Sequence, residues 1–431
     1  MRLRAWLAWG LAGAALGTPG CGAGTDGAPL EFWGLGREGE LVQELVPDFE
    51  RRNPGIRVRV QQIPWSAAHE KLLTAYAGDA LPDLLQLGNT WIPEFVALRA
   101  LVPLDGRIAG SAAVAADDYF PGILATNALE GSTWGVPWYV DTRVLFYRSD
   151  LLERAGFPEA PRTWRAWLEA LTRLEQVVGA DHYAILLPLD AWEPQVILAL
   201  QLGAELLRDD AGRGNFQSPP FREAFAWYLD LFQRGLAPRG GEARTGNLYR
   251  DFAAGHFAML LTGPWNLGEF ARRLPPALAS AWATAPLPAP DGGAGPGLSL
   301  AGGASLVIAR TSRRQDAAWK LVEYLSEPEQ QVALYRLSGD LPARRSAWRR
   351  AGLVEDSRAR AFWLQLDALA TTPRIPEWER IASRIAHYSE EAARGRVAPE
   401  AALADLDRDV DAILEKRRWL RGRGGLAGAA R

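Results

Sequence analysis

Cysteine and histidine are scarce in this chain of 431 residues. Cys21 is the only cysteine, so the chain cannot form an internal disulfide framework. None of the four histidines stands in H-x-x-x-H or H-E-x-x-H spacing, and no G-x-S-x-G nucleophile motif occurs. We therefore expect no metal centre, no cofactor and no zinc hydrolase. The histidines are His69, His182, His256 and His387.

Lysine is equally rare, and Lys71, Lys320 and Lys416 are the only three. Arginine supplies the other basic residues, no basic run is long enough to follow a phosphate backbone, and the formal net charge is -3. We expect no nucleic-acid partner. A composition of 48% hydrophobic and 23% charged residues is that of a globular chain, and its length allows two cores.

The N-terminus has the pattern of an export signal. Arg2 and Arg4 precede an apolar stretch over 5–16, and small residues follow it. This stretch is too short to span a membrane as a helix of the mature protein. We expect a signal peptide over 1–21 and a tether over 22–29, which places the mature protein in the periplasm or at the outer face of the cytoplasmic membrane.

Cys21 ends this signal and resembles the lipid acceptor of a bacterial lipoprotein. The resemblance is imperfect because Thr18 stands three residues before the cysteine, where such signals usually have leucine. Two outcomes are open. Either Cys21 is acylated and anchors the protein to the membrane, or the chain is cleaved as an ordinary soluble exported protein.

Strands and helices alternate in the first hundred residues. "LEFW" predicts a strand, and Leu41, Leu45 and Phe49 recur on one face of a helix that "NPG" ends. "IRVRV" alternates apolar and charged residues, which is typical of a half-buried strand. This βαβαβ order predicts an α/β fold with a largely parallel sheet. The next elements are a helix over 66–77, a strand over 83–87 and a helix over 90–100.

The rest of the chain continues the mixture of strands and helices. The Pro/Gly-rich stretch over 285–297 breaks the pattern, and we interpret it as an interdomain crossing or a loop. From 347 onward the pattern is nearly all helical, and the final helix carries Leu403, Leu406, Val410 and Leu414 on one face. The other predicted elements are helices over 163–178, 221–234 and 314–326 and strands over 257–263 and 304–309.

The segment "GLGREG" fits the dinucleotide-binding pattern through Gly34, Gly36 and Gly39. The second strand ends in "VQQIPW" and lacks the acid that would hold the ribose hydroxyls, so NAD or FAD binding is disfavoured. A tight turn that exposes helix N-terminal N–H groups explains the glycines, and donors near Gly36 and Arg37 could serve a neutral polyol.

Tryptophan is abundant, with 18 residues, and six of these stand where a strand ends or a loop begins. Ligands of open α/β sheets bind at the strand ends. Flat indole faces suit the C–H patches of a sugar ring, and flanking charged and amide groups suit its hydroxyls. We expect about half of the six to touch ligand. They are Trp65, Trp91, Trp138, Trp192, Trp265 and Trp378.

Paired carboxylates leave a glycoside hydrolase open as an alternative, because such enzymes need two facing acids. A chain of this size supplies such pairs by chance, so we favour a binding protein over an enzyme. The candidate acids are Asp141, Glu193, Glu269 and Glu379.

Several segments occur in the order seen in one family. "FERRNPGIRVRV", "DALPDLLQL", "WGVPWYVDTRVLFYRSDLLERAGFPEAPRTW", "GPWN", "GGASLVIA" and "LPARRSAW" resemble the maltose-binding-protein-like solute-binding proteins of carbohydrate ABC importers over about 30–417. The resemblance implies a two-lobed periplasmic-binding-protein-like fold of type II, in which each lobe is a mostly parallel sheet flanked by helices. It implies an N-lobe of 30–139 plus 288–341, a C-lobe of 140–287 plus 342–420, and a flexible tail of 421–431.

The resemblance also implies which residues contact ligand. Trp138 and Tyr139 would face the cleft at the first crossover, and Asp141 and Arg143 would either contact ligand or form an ion pair that orders the hinge. Gly302 and Gly303 would allow a close approach of the returning chain. The remaining contacts implied are Asn89, Thr90, Trp91, Trp192, Glu193, Trp265, Asn266 and Arg344.

The function implied is that of a monomeric receptor that captures a mono-, di- or oligosaccharide and delivers it to the transmembrane subunits of an ABC permease. An alternative keeps the fold and changes the cargo to a glycerophosphodiester, a polyamine or a metal chelate. A phosphate-bearing cargo would need several cationic side chains in the cleft, and Arg37, Arg143 and Arg344 leave that open.

Overall fold

A computed structural model describes residues 27–239, 247–293 and 295–422. The predicted signal peptide, Cys21 and most of the tether lie outside the described residues, as does the tail beyond 422. None of the helices in the described ranges combines the length and the apolar character that crossing a membrane requires.

The strands of the described chain fall into one six-stranded sheet, one four-stranded sheet and three small pairs. In chain order they are β1 (Leu30–Leu35), β2 (Val58–Ile63), β3 (Leu84–Gly88), β4 (Ala128–Leu129), β5 (Ser132–Thr133), β6 (Val136–Asp141), β7 (Val144–Arg148), β8 (Tyr183–Leu186), β9 (Leu207–Arg208), β10 (Arg213–Gly214), β11 (Phe257–Thr262), β12 (Trp282–Ala285), β13 (Ser299–Leu300), β14 (Gly302–Ile308), β15 (Leu341–Pro342) and β16 (Leu369–Ala370).

Helices cover both sheets and make up most of the last eighty described residues. They are α1 (Gly36–Leu41), α2 (Val46–Arg52), α3 (Trp65–Ala77), α4 (Ile92–Ala97), α5 (Asp105–Ala109), α6 (Pro121–Ala125), α7 (Ser149–Arg154), α8 (Trp164–Val178), α9 (Glu193–Gln201), α10 (Pro219–Gln233), α11 (Leu248–Ala254), α12 (Trp265–Arg273), α13 (Gln315–Ser326), α14 (Pro328–Ser338), α15 (Arg345–Arg350), α16 (Ala359–Gln365), α17 (Trp378–Ala393), α18 (Pro399–Ile413) and α19 (Glu415–Gly422).

The six-stranded sheet has the order β15-β6-β14-β3-β1-β2. β1 runs parallel to both β2 and β3, which confirms the predicted βαβαβ order, whereas β14 runs antiparallel to β3 and β6. β3 is buried along its whole length, whereas β2 lies at the sheet edge and alternates between half-buried and exposed residues. We call this sheet with its helices the first lobe.

The four-stranded sheet has the order β12-β7-β11-β8. β8 and β11 are parallel, and β7 runs antiparallel to β11 and β12. The C-terminal helices α17 and α18 pack in the same core as this sheet, where Leu403, Leu406, Val410 and Leu414 are buried on one face as the sequence predicts. We call this sheet with its helices the second lobe.

The chain crosses between the lobes three times. Only Thr142 and Arg143 separate β6 from β7, the Pro/Gly-rich stretch over 285–297 belongs to the return from β12 to β14, and the segment after β15 makes the third crossing. The second and third crossings are joined by parallel pairing of β13 with β16. The architecture is the expected two-lobed α/β fold, but the expectation of mostly parallel sheets is wrong, because the strands that return from the crossings pair antiparallel with their neighbours. The exact lobe boundaries expected from the sequence stay a prediction.

The helix expected from Leu41, Leu45 and Phe49 is broken. α1 passes into a 3-10 turn over Val42–Glu44, and α2 begins afresh with Pro47 in its first turn. Proline has no N–H to donate to the preceding turn, so it fits the start of a helix better than the interior. Two of the three apolar residues still pack inward, since Leu45 is 8% exposed and Phe49 has no exposed surface, whereas Leu41 is only half-buried.

The glycines of "GLGREG" serve close packing. A Cβ on Gly34 would overlap Gly39, and a Cβ on Gly39 would overlap the backbone of Gly34, so α1 lies directly against the end of β1. Gly36 has a φ of 55°, a left-handed conformation that glycine adopts without strain. These contacts account for the pattern without a dinucleotide.

Candidate functional site

A cavity of about 510 Å³ lies between the two lobes, at the ends of the strands that cross from one to the other. Its walls come from both lobes and from all three crossings. The lining residues are Glu38, Trp65, Gly88, Asn89, Thr90, Trp91, Tyr139, Asp141, Thr142, Arg143, Trp192, Glu193, Trp265, Leu300, Ala301, Gly302, Gly303, Asp340, Thr372 and Glu379.

The first-lobe wall is set by the parallel strands β1 and β3, whose carboxyl ends meet at one edge of the sheet. The buried side chain of Gln86 on β3 holds the end of β1 and the ring of Tyr139 in position. Its Oε1 accepts from the N–H of Leu35 at 2.7 Å, and its Nε2 donates to the hydroxyl of Tyr139 at 3.0 Å. Tyr139 therefore faces the cavity in a defined orientation.

Trp65 and Trp91 form an aromatic corner on the first lobe. Their rings meet edge to face at 5.6 Å, and Trp65 keeps 37% of its surface exposed. His69 packs on Trp91 at 5.1 Å and its Nε2 lies 2.6 Å from Glu94, which raises the pKa of His69. Gly36 supports the corner from behind, since a side chain there would collide with Trp65.

The second lobe contributes two further indoles. Trp265 is the first residue of α12 and is 40% exposed. Trp192 stands just before α9 and packs edge to face on the buried Trp378 at 5.3 Å. Gly263 makes room for Trp265, because a Cβ there would overlap the indole. Three partly exposed indoles, Trp65, Trp192 and Trp265, thus approach the cavity from both lobes.

Arg143 lies at the first crossing and joins the lobes. Its guanidinium donates to Asp141 Oδ1 at 2.6 Å and to Glu193 Oε1 at 2.7 Å, and it lies 4.8 Å from the ring centre of Trp265. Burial lowers the pKa of Arg143, but the two carboxylates outweigh that effect and raise it above its usual range. The ion pair between Asp141 and Arg143 is therefore present, and both residues also line the cavity, so the two alternatives for them are compatible.

Glu38 and Asp340 form a second acidic group on the first lobe. Their carboxyl groups are within hydrogen-bonding reach of one another, and Trp65 Nε1 donates to Glu38 Oε2 at 3.3 Å. Burial, followed by the charge of Asp340, raises the pKa of Glu38 to about 8. Burial also raises the pKa of Asp340. Two close carboxyl groups that resist ionising together hold one proton between them at neutral pH.

Three buried polar atoms on the cavity wall have no hydrogen-bond partner within the described chain: Asn89 Nδ2, Thr142 Oγ1 and Glu379 Oε1. The oxygen atom of the Asn89 amide is used, since it accepts from Ser305 Oγ at 2.9 Å. Buried polar atoms are nearly always paired, so these are the atoms that a bound ligand would satisfy.

The structure brings twelve of the residues expected to contact ligand to this cavity and places the other six elsewhere. Those at the cavity are Trp65, Asn89, Thr90, Trp91, Tyr139, Asp141, Arg143, Trp192, Glu193, Trp265, Gly302 and Gly303. Those elsewhere are Gly36, Arg37, Trp138, Asn266, Arg344 and Trp378.

Two indoles expected at the cleft lie in the interior. Trp138 is 1% exposed and meets Phe32 edge to face at 6.0 Å. Successive side chains of a strand point to opposite faces, so Trp138 and Tyr139 cannot both face the cavity. Trp378 is also 1% exposed and supports Trp192 from behind. The expectation of direct contact is wrong for both.

The polar residues among the six are committed to structure. Asn266 is buried and donates to Thr262 Oγ1 at 2.8 Å, which fixes the start of α12. Arg344 is buried and donates to Asp118 Oδ2 at 2.8 Å and to two backbone carbonyls. Arg37 points outward, where its guanidinium pairs with Glu269 of the second lobe at 3.1 Å.

Sequence patterns missed the cavity-lining acids Glu38 and Asp340, and they indicated Glu379 only as a candidate acid of a glycoside hydrolase. Glu38 follows the predicted β1 within "GLGREG", and Asp340 directly precedes "LP", so each stands close to a residue that the sequence did indicate. Burial raises the pKa of Glu379, although the nearby side chains of Thr90 and Trp91 across the cleft act to lower it. The other missed residues are Gly88, Thr142, Leu300, Ala301 and Thr372.

Comparisons with known proteins agree with this architecture. A model of the bacterial extracellular solute-binding protein family matches residues 33–332. The structure of the sugar-binding protein MalE from the phytopathogen Xanthomonas citri is 47% identical and superposes with a TM-score of 0.87 over 92% of this chain and 99% of that chain.

More distant relatives have named ligands. The diacetylchitobiose binding protein DasA of Streptomyces coelicolor is 24% identical over 88% of this chain and 91% of its own length. The structure of UgpB from Mycobacterium tuberculosis in complex with glycerophosphocholine is 23% identical, with a TM-score of 0.75 over 90% of this chain and 99% of that one. The family match, together with the two-lobed fold, shows that this chain belongs to the bacterial extracellular solute-binding proteins.

Proposed function

We propose that this protein is an extracytoplasmic receptor that captures a saccharide between its two lobes and delivers it to an ABC permease. The observation that carries the proposal is the wall of the cavity. Trp65 of the first lobe and Trp192 and Trp265 of the second present indole faces, and unpartnered polar atoms and carboxylates lie between them. Stacked aromatic rings with polar groups at the edge suit a hydroxyl-rich ring.

The proposed mechanism follows from the fact that these indoles belong to different lobes. A ligand that stacks on Trp65 and on Trp265 touches both lobes at once, so its binding free energy stabilises the closed arrangement over the open one. The permease then recognises the closed arrangement. No bond is broken in this cycle.

A phosphate-bearing cargo is the second candidate, because one relative was crystallised with glycerophosphocholine. Recognition of phosphate needs uncommitted cationic groups. Arg143 is shared between two carboxylates, and Arg344 is buried in a network of its own, away from the cavity. Arg37 is paired with Glu269. These commitments favour an uncharged or basic ligand over a phosphodiester.

A glycoside hydrolase is disfavoured by the same contacts. Asp141 and Glu193 both accept from Arg143, and Glu269 lies outside the cavity in contact with Arg37, Arg272 and Arg273. Of the four candidate acids, only Glu379 forms no ion pair with an arginine in the described chain, so no two of them are free to act together as the acid and its partner. Incubation with oligosaccharides should therefore release no new reducing ends.

Intrinsic tryptophan fluorescence and small-angle scattering test the receptor proposal directly. Addition of a cognate sugar should change the fluorescence and reduce the radius of gyration. In W265A the affinity should fall by about 1–3 kcal/mol, the contribution of a stacked aromatic ring, or roughly 5- to 150-fold. W419A is the matched control, since Trp419 lies on α19 and is 54% exposed. An unchanged profile across a broad panel of neutral and charged sugars would contradict the proposal.

The anchoring proposal needs a separate test. Acylation of Cys21 would attach the protein to the outer face of the membrane. The protein in the membrane fraction should then carry labelled fatty acid. C21S should lose the label and appear in the soluble exported fraction. Equal labelling of the two forms would exclude this site.

A further inference from the structure

The cavity holds far more negative than positive charge. Five carboxyl groups line it, from Glu38, Asp141, Glu193, Asp340 and Glu379, and Arg143 is the single arginine or lysine in that lining. Arg143 is bonded to Asp141 and Glu193. The other three acids therefore have no cationic side chain beside them in the lining.

Glu38 and Asp340 are the most tightly placed of these acids. They belong to α1 and to the turn before β15, and the fold brings them together on the first-lobe wall. Asp340 is 5% exposed, and its backbone N–H donates to Ser338 Oγ at 3.0 Å. Asp340 is thus held in position, and both acids line the cavity.

Few of the groups around Glu38 and Asp340 offset the negative charge that the two carboxyl groups would carry. Trp65 Nε1 donates to Glu38, and the nearby side chain of Ser338 acts to lower the pKa of Asp340. Arg37 lowers the pKa of Asp340, but its guanidinium is bonded to Glu269, while the negative charge of Asp141 opposes it. The hydroxyl of Tyr139 remains protonated because burial holds its pKa well above the usual range. A proton shared by the two carboxyl groups is what neutralises them.

An independent feature shows that a polar ligand fits here. The amide Nδ2 of Asn89 lines the same cavity, belongs to a residue that is 4% exposed, and has no hydrogen-bond partner within the described residues. An N–H donor in this position requires an acceptor from the ligand, such as a sugar hydroxyl or ring oxygen. The ligand should therefore present an acceptor to Asn89 and donors to the two acids.

We propose that Glu38 and Asp340 form a subsite for a protonated amino group, so that the cavity selects an amino-substituted saccharide over its neutral counterpart. The inference rests on the proposed function as a saccharide receptor. A hydroxyl donates hydrogen bonds but brings no charge, so with a neutral sugar the two acids must keep their shared proton. An ammonium group has three N–H donors and a positive charge, and it can take the place of that proton.

The exchange balances in charge and atoms. The ammonium N–H groups donate to Glu38 and Asp340, both acids become carboxylates, and the shared proton passes to the solvent. At a pH below the pKa of its free amine, binding of the amino saccharide should therefore release close to one proton. Binding of a neutral saccharide should release markedly less.

Isothermal titration of the mature protein with matched sugars tests the subsite. The pairs are glucosamine against glucose, chitobiose with two free amines against cellobiose, and trehalosamine against trehalose. We expect one amino sugar or more to bind at least about tenfold tighter than its neutral counterpart at pH 7, the size of a charge-assisted hydrogen bond. Repeating the titration in buffers of different ionisation enthalpy should reveal the released proton.

Variants identify the residues. E38Q and D340N should lower the ratio of amino-sugar to neutral-sugar affinity towards one, whatever they do to binding of the neutral sugar, whereas E94Q should leave that ratio unchanged, because Glu94 pairs with His69 and does not line the cavity. Neutral sugars that bind as tightly as their amino counterparts overturn the subsite and leave the receptor proposal standing. Failure of every saccharide to bind overturns both. The buffer series on the unmodified protein decides the matter even if a variant does not fold.

Discussion

Arg143 holds together two acids from different lobes, so its removal should be costly. In R143M both Asp141 and Glu193 lose their partner while remaining largely inaccessible to water. The exposed fractions of the side chains are 18% for Arg143, 24% for Asp141 and 20% for Glu193. Breaking a fully buried ion pair costs about 3–5 kcal/mol, and breaking an exposed one costs about 0–1 kcal/mol.

The ion pairs of Arg143 lie between these limits, so R143M should lower the free energy of unfolding by about 2–4 kcal/mol. Urea unfolding followed by tryptophan fluorescence measures it. The matched control is R173M, because Arg173 and Glu169 form an ion pair with side chains 51% and 53% exposed. R173M should lose less than about 0.5 kcal/mol.

A rescue experiment separates the charge effect from a packing effect. Adding D141N and E193Q to R143M removes both uncompensated charges, so the triple variant should recover at least half of the lost stability. If R143M is as stable as R173M, or if the triple variant recovers nothing, then Arg143 does not act by neutralising these carboxylates, and other contacts order the hinge.

Three further predictions concern backbone, titration and lobe closure. G303A should lose about 1–3 kcal/mol, because the φ of Gly303 is 122° and a Cβ would overlap the carbonyl of Tyr139; thermal unfolding measures the loss, and a wild-type melting temperature would refute it. The pKa of His69 is raised above its ordinary value of 6.5, chiefly by its hydrogen bond to Glu94. The stabilisation that protonated His69 gains from Glu94 is therefore complete below pH 6.5 and is lost as the pH rises through the higher pKa of the folded state. The stability difference between wild type and H69Q should accordingly be larger at pH 5.5 than at pH 8.5, and an equal difference at both pH values would refute this. R37A removes the ion pair of Arg37 with Glu269 across the cleft, so sugar affinity should fall by no more than about fivefold. The affinity of R37A should also depend less on salt concentration than that of wild type. An unchanged salt dependence would count against this ion pair as a contact that favours closure.

Much of the fold is predictable because its signals are local. The period of apolar residues predicts α3, α8 and α10 to within one or two residues, and Thr163 caps α8 with its side chain, as a helix start requires. The break between α1 and α2 is not predicted because the apolar period continues across it. The order of strands in each sheet is a property of distant segments, and periodicity carries no information on it.

The cavity residues divide in the same way, into those that local sequence patterns predict and those that depend on contacts between distant segments. Tryptophans at strand ends are predictable because position relative to the strand decides which way they face. Trp138 is misplaced by that rule because it lies inside β6, where side chains alternate between the two faces and only its neighbour Tyr139 faces the cavity. Glu38 and Asp340 are some three hundred residues apart in the chain, and only the folded sheet brings their carboxyl groups together.

The direct contacts between the lobes explain why a ligand can control closure. Apart from Arg143 at the hinge, the contacts across the cleft are weak: the pair of Arg37 with Glu269 is half exposed on the arginine side, and Glu379 lies near the side chains of Thr90 and Trp91. Each such contact is worth about 1 kcal/mol or less. Shifting a two-state equilibrium from mostly open to mostly closed takes about 5.5 kcal/mol of differential binding. These contacts across the cleft fall short of that, whereas a ring stacked on indoles of both lobes and bonded to the unpartnered atoms of the wall can supply the difference.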